Sequence, residues 1–174
     1  MPAVIVTASL ERLARSLAYL GGLAVAGVGL LSTVSILGRS TMNLPLFSYF
    51  SRPITGDFEL VEIGTAVAGS LFLPYCQLSR GHIIVDFFTL KIREHTKHAL
   101  DQLGALLMAL TYFVVGWRTL VGCADIYGSG ETSMLLGFPI WIGYAATVPG
   151  VLVAGVIALA QAAGVRMMGP PADE

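Results

Sequence analysis

From Ser16 to Gly38 the chain runs for 23 residues without a charge. As an α-helix rising 1.5 Å per residue, that run spans roughly 34 Å, enough to cross a hydrocarbon core of about 30 Å. The apolar core of a signal peptide is only about 7–15 residues, so the length favours an uncleaved membrane helix. Lipid offers no hydrogen bonds to a backbone, and a single apolar run satisfies its own only as a helix. Further charge-poor stretches follow, and together they predict four transmembrane helices, at about 16–38, 58–78, 100–121 and 139–159. These form one membrane domain over 16–160, with a head at 1–15 and a tail at 161–174. The composition agrees. Only 12% of residues are charged, against about 25% in soluble domains, and the mean hydropathy is +0.77. The expected class is an all-α membrane protein in contact with lipid. A net charge of −1 gives no reason to expect a nucleic-acid partner.

The segments between the spans carry the punctuation. Residues 39–57 read as a connector, and Pro53, Thr55, Gly56 and Asp57 as turn chemistry, with Asp57 as a cap for the second helix. Glu59 and Glu62 share a face near that helix's start. Glu62 is the deepest carboxylate, and intramembrane acids are functional candidates or interfacial groups with their heads in water. Cys123 to Gly137 reads as a polar loop, and Pro139 as a first-turn residue of the fourth helix. Pro149 falls inside that helix, where membrane helices tolerate a kink. Small residues recur at Ala18, Gly22 and Ala26, and again at Ala146, Gly150, Ala154 and Ala158, a spacing that lets helices approach closely.

Between the second and third spans lies a polar knot, Arg80-Gly81-His82-Ile83-Ile84-Val85-Asp86. Asp86 follows His82 by one helical turn and can accept from it or from Arg80. Beyond the knot, Ile83, Phe87 and Leu90 fall on one helical face. The segment 83–92 is too short to cross, so it reads as an amphipathic interfacial helix.

Lys and Arg set the orientation. The head, the middle connector and the tail hold seven, and the other two connectors hold Arg39, Arg52 and Arg118. Both termini and the knot are therefore expected in the cytoplasm. Trp117 and Trp141 then fall at the outer interface, where aromatic belts form.

Catalytic motifs do not emerge: the chain has no serine elbow, Walker loop or HExxH, and it reads as no enzyme. His82, His95 and His98 all lie in the middle connector, outside the spans that would have to clamp a haem, so no cofactor is expected. The spans also contain few polar groups for a transport path.

Gly69-Ser70-Leu71-Phe72 through Arg80-Gly81-His82-Ile83-Ile84-Val85-Asp86, followed by Gly137-Phe138-Pro139-Ile140-Trp141 and Val148-Pro149-Gly150, resembles the signature of DctQ-type proteins. These are the small membrane subunits of tripartite ATP-independent periplasmic (TRAP) transporters. The resemblance covers about Phe58 to Leu159. It implies a bacterial inner-membrane protein paired with a large multi-span subunit that carries the substrate and sodium sites. It also implies a periplasmic binding protein that delivers organic acids, commonly carboxylates. Under this reading the chain braces its partner. Arg80, Gly81, His82 and Asp86 form a lock at the cytoplasmic interface, and Glu59, Glu62, Trp141 and Pro149 are further interface candidates. The competing readings are a stand-alone proton-coupled carrier using Glu62 and the membrane anchor of a redox complex.

Overall fold

The computed structural model describes residues 2–41, 56–79 and 94–165. They form four helices: α1 (Pro2–Thr41), α2 (Asp57–Leu78), α3 (Glu94–Ser129) and α4 (Trp141–Ala162). Among the described residues there are no strands, only an isolated bridge between Thr132 and Pro139. Three helical stretches are long and apolar enough to cross a membrane: Ala8–Ser40, His98–Ser129 and Trp141–Ala162. Helix α2 is not among them, and Asp57, Glu59 and Glu62 fall within its first six residues. The expected interfacial helix at 83–92 lies outside the described residues.

Two helices outrun their charge-free cores. Helix α1 has 40 residues, about 60 Å, or twice a hydrocarbon core. Its early residues, among them Leu10, Glu11, Arg12, Leu13, Ala14 and Arg15, are good helix formers, so nothing stops the helix where charge appears. Helix α3 continues through Cys123 to Ser129, which corrects the loop expected there. It ends at Gly130, whose φ of 67° suits a left-handed helix terminus and whose N–H bonds the Ile126 carbonyl at 3.1 Å. Tyr127 anchors the extension by packing edge-on against Trp141, with ring centroids 5.4 Å apart.

The order in space is α1, α2, α4, α3. Helix α4 lies beside both α2 and α3, while the backbones of α2 and α3 do not approach each other. Helices α1 and α2 run antiparallel, as do α3 and α4, so the central pair α2/α4 is parallel. Facing residues mark the direction. A side chain at Gly143 would meet Ile63, and one at Gly150 would land on the Ser70 carbonyl. Farther along, Gln161 bonds Gln77. Glycine at 150 is therefore what permits the central crossing.

The second small-residue stripe packs inside the row: Gly150 is buried against α2, and Ala154 and Ala158 are fully buried in a cluster with Ala109 and Tyr112 of α3. The first stripe does not. Gly22 and Ala26 are exposed, and nothing lies within 4 Å of a side chain built at Gly22. Helix α1 instead faces α2 through Ala14, Gly21, Val28 and Ser35, seven residues apart. A seven-residue repeat keeps one face toward a neighbour crossing at a shallow angle.

Candidate functional site

Three polar clusters interrupt the apolar packing. At one end of the α1/α2 hairpin, Asp57 is buried and takes hydrogen bonds from the Ser35 hydroxyl and the Arg39 guanidinium, with which it also forms an ion pair. Arg39 in turn lies over the Phe58 ring, 4.9 Å from its centroid. The Ser35 hydroxyl, and then Arg39, hold the Asp57 carboxyl below the usual aspartate range against the opposing effect of burial. The expected capping role of Asp57 is corrected: Gly56 occupies the cap position with φ 83°, and Asp57 begins the helix. Its side chain finds a stronger, charged partner across the hairpin.

At the opposite end, Gln77 donates to the Gln161 side-chain oxygen at 2.7 Å, and Gln161 returns a bond to the Gln77 carbonyl at 2.9 Å. The Tyr112 hydroxyl reaches the same amide at 3.5 Å, a loose contact. This amide pair joins α2 to α4 across the seam. Among the described residues no buried side-chain nitrogen or oxygen lacks a partner.

The third cluster surrounds a cleft of about 580 Å³ at the Asp57 end. Since α2 and α3 both pack on α4 and their backbones do not approach each other, a gap runs between them. Toward the Gln77 end side chains reach across it: Leu73 packs against the cluster that contains Tyr112, and the Tyr112 hydroxyl approaches the Gln77 side chain. Toward the other end it opens between Glu62 and Ala66 of α2 and Thr119 of α3, floored by Gly143 and Thr147 of α4. Thr132, Ser133 and Met134 form its roof. The roof is a tight turn. The Ser133 N–H bonds the Phe138 carbonyl at 2.8 Å, and the Ser133 hydroxyl accepts from the Phe138 N–H at 3.1 Å. Glu59 fixes the turn from below, accepting from the amides of Leu135 at 2.9 Å and Leu136 at 3.1 Å. Pro139 belongs to this turn, and α4 begins two residues later, which corrects its expected place within the helix.

The candidates named from sequence thus separate. Arg80, Gly81, His82 and Asp86 lie outside the described residues. Glu59 is a structural clamp and Glu62 an exposed wall of the cleft, so their shared face divides into two tasks. Trp141 opens α4 and pairs with Tyr127. Pro149 is exposed beside the buried Gly150. Sequence reasoning missed Ser35, Arg39, Gln77 and Gln161. Arg39 in the last turn before a connector and Asp57 in the first turn after it offered a signal, because a helical hairpin brings such residues together.

Residues 28–166 match the family described as "Tripartite ATP-independent periplasmic transporters, DctQ component". No curated protein and no solved structure matches the chain. The family match takes in α2, α3, α4 and the later part of α1. The chain belongs to the DctQ family, the small permease components of TRAP transporters.

Proposed function

We propose that this DctQ component is a bracing subunit. It holds the large, sodium-coupled membrane subunit of a TRAP transporter during secondary uptake of organic acids, commonly carboxylates, delivered by a periplasmic binding protein. The observation that carries this reading is the family match. The packing supports it. Among the described residues every buried side-chain nitrogen and oxygen has a partner, and Leu73 of α2 packs against the cluster that contains Tyr112 of α3. Such a body suits a rigid support better than a route for a solute. The sodium and substrate sites fall to the large subunit under this reading.

The placement follows from the same reading. Helix α2 becomes a fourth span, its acidic first turn at the outer interface of the bacterial inner membrane and its partners α1 and α4 screening its polar groups. Both termini, and the knot at Arg80, Gly81, His82 and Asp86, then face the cytoplasm. The stand-alone carrier reading assigns proton movement to Glu62, yet among the described residues the only other carboxylate lining its cleft, Glu59, is held by the amides of Leu135 and Leu136.

Co-expression with the large subunit and the binding protein tests the proposal. The two membrane subunits should co-purify, and uptake of a labelled carboxylate should need all three proteins. Uptake by the large subunit and binding protein alone, at the full rate, would sink it.

A further inference from the structure

We propose that the cleft between α2 and α3 is a socket for a basic side chain carried by a transmembrane helix of the large subunit, with the Glu62 carboxylate as its counter-charge. The inference rests on the bracing role above and adds where, and by what chemistry, the partner is held.

Three independent observations point to it. The first is charge. Glu62 is exposed on the cleft wall, and among the described residues no cation pairs with it. The other acids nearby are already engaged: Asp57 by Ser35 and Arg39, and Glu59 by two backbone amides. A carboxylate within a spanning helix is costly unless paired, and of these three acids Glu62 alone has no partner among the described residues.

The second is shape. The cleft is bounded at one end by Thr132, Ser133 and Met134, and its side walls are Glu62 and Ala66 of α2 and Thr119 of α3. A side chain carried on a neighbouring helix would enter between those walls. At about 580 Å³ the cleft holds a long side chain, and the hydroxyls of Thr119, Ser133 and Thr147 line it as acceptors for the donors of a Lys or Arg head.

The third is the surface beside the opening. Helix α2 leaves Phe58, Glu62, Thr65, Ala66, Gly69 and Phe72 exposed, a stripe at helical spacing. Nothing lies within 4 Å of a side chain built at Gly69. Small residues there let a neighbouring backbone come close enough for its side chain to reach Glu62.

The test uses the co-expressed pair of membrane subunits. Glu62→Arg should lower recovery of the large subunit with this chain roughly tenfold or more, because it sets like charges in one socket. Glu62→Asp should largely retain recovery. The melting temperature of Glu62→Arg as an isolated subunit should match wild type, which separates lost docking from misfolding. In a Cys76→Ser, Cys123→Ser background, Ala66→Cys should react with a lipid-permeant maleimide in the isolated subunit and be protected in the complex. A scan of basic residues on the large subunit should find one whose change to Glu restores recovery with Glu62→Arg. The socket is wrong if the complex forms normally with Glu62→Arg, or if the thiol of Ala66→Cys stays equally reactive in the complex, which would place the cleft against lipid. Absence of a wild-type complex is a different outcome and overturns the bracing role itself.

Discussion

The Glu59 carboxylate holds the amides of Leu135 and Leu136, residues 76 and 77 positions away in the chain. One side chain near the start of α2 thereby fixes the turn that precedes α4. Glu59→Ala frees both amides, and their hydrogen exchange should accelerate by about an order of magnitude while the amides of the α2/α4 seam stay protected. Unchanged exchange at 135 and 136 would mean that the turn holds itself through Ser133 and Phe138.

Gly150 meets the Ser70 backbone, which cannot rotate away as a side chain can. Gly150→Ala should push α2 and α4 apart and destabilise the isolated subunit by about 1–3 kcal/mol. Gly22→Ala, on the open face of α1, should be neutral or slightly stabilising. Thermal unfolding of the two variants in the same detergent distinguishes the sites, and equal melting temperatures would contradict the seam.

The Gln77–Gln161 pair predicts non-additive mutations. Gln161→Leu alone leaves the Gln77 amide buried without its main partner, a loss of about 1–3 kcal/mol. Changing both to Leu removes the unpaired group as well and should recover part of that loss. A double variant as unstable as the sum of the singles would argue that the amides do not interact.

Asp57 gives a signed pH dependence. Its carboxyl titrates lower in the folded chain than in an unfolded one, where the value is about 3.9. The contribution is therefore present above about pH 4 and is lost as pH falls through the folded-state value. Melting temperatures measured from pH 6 downward should fall more steeply for wild type than for Asp57→Asn. Parallel curves would remove the ion pair from the account.

Orientation is open to direct labelling. Single cysteines replacing Gly130 and His98, in the Cys76→Ser, Cys123→Ser background, sit at opposite ends of α3. An impermeant thiol reagent should modify position 130 in intact cells and position 98 only after permeabilisation. The reverse pattern would invert the proposed topology.

Charge-free runs revealed α1, α3 and α4 because a bilayer-length apolar segment has few alternatives. The helix ends were harder to read. Lipid sets how long a span must be, but Leu10 to Arg15 and Ala124 to Tyr127 show that water does not end a helix made of willing residues. The face of α1 that meets α2 was not legible, because a small residue signals possible closeness without choosing the neighbour, and Ala14, Gly21, Val28 and Ser35 are recognisable only once α2 lies beside them. The Asp57 and Gln161 pairings bridge separations of 22 and 84 residues, which no local spacing encodes. The cleft is an absence of packing between α2 and α3, so it belongs to the arrangement rather than to any motif.

The spatial order α1, α2, α4, α3 has a consequence for how the molecule is made. The helix synthesised last is the one that ends up between two already produced. When α3 enters the bilayer, the surface of α2 that faces α4 in the mature chain has no partner, and neither does the matching surface of α3. Under the proposed four-span topology, Ser70 and Gln77 are without their α4 neighbours until Gly150 and Gln161 arrive. Assembly is thus an act of intercalation: α4 wedges between α2 and α3, and until it does the first three helices have no reason to remain together.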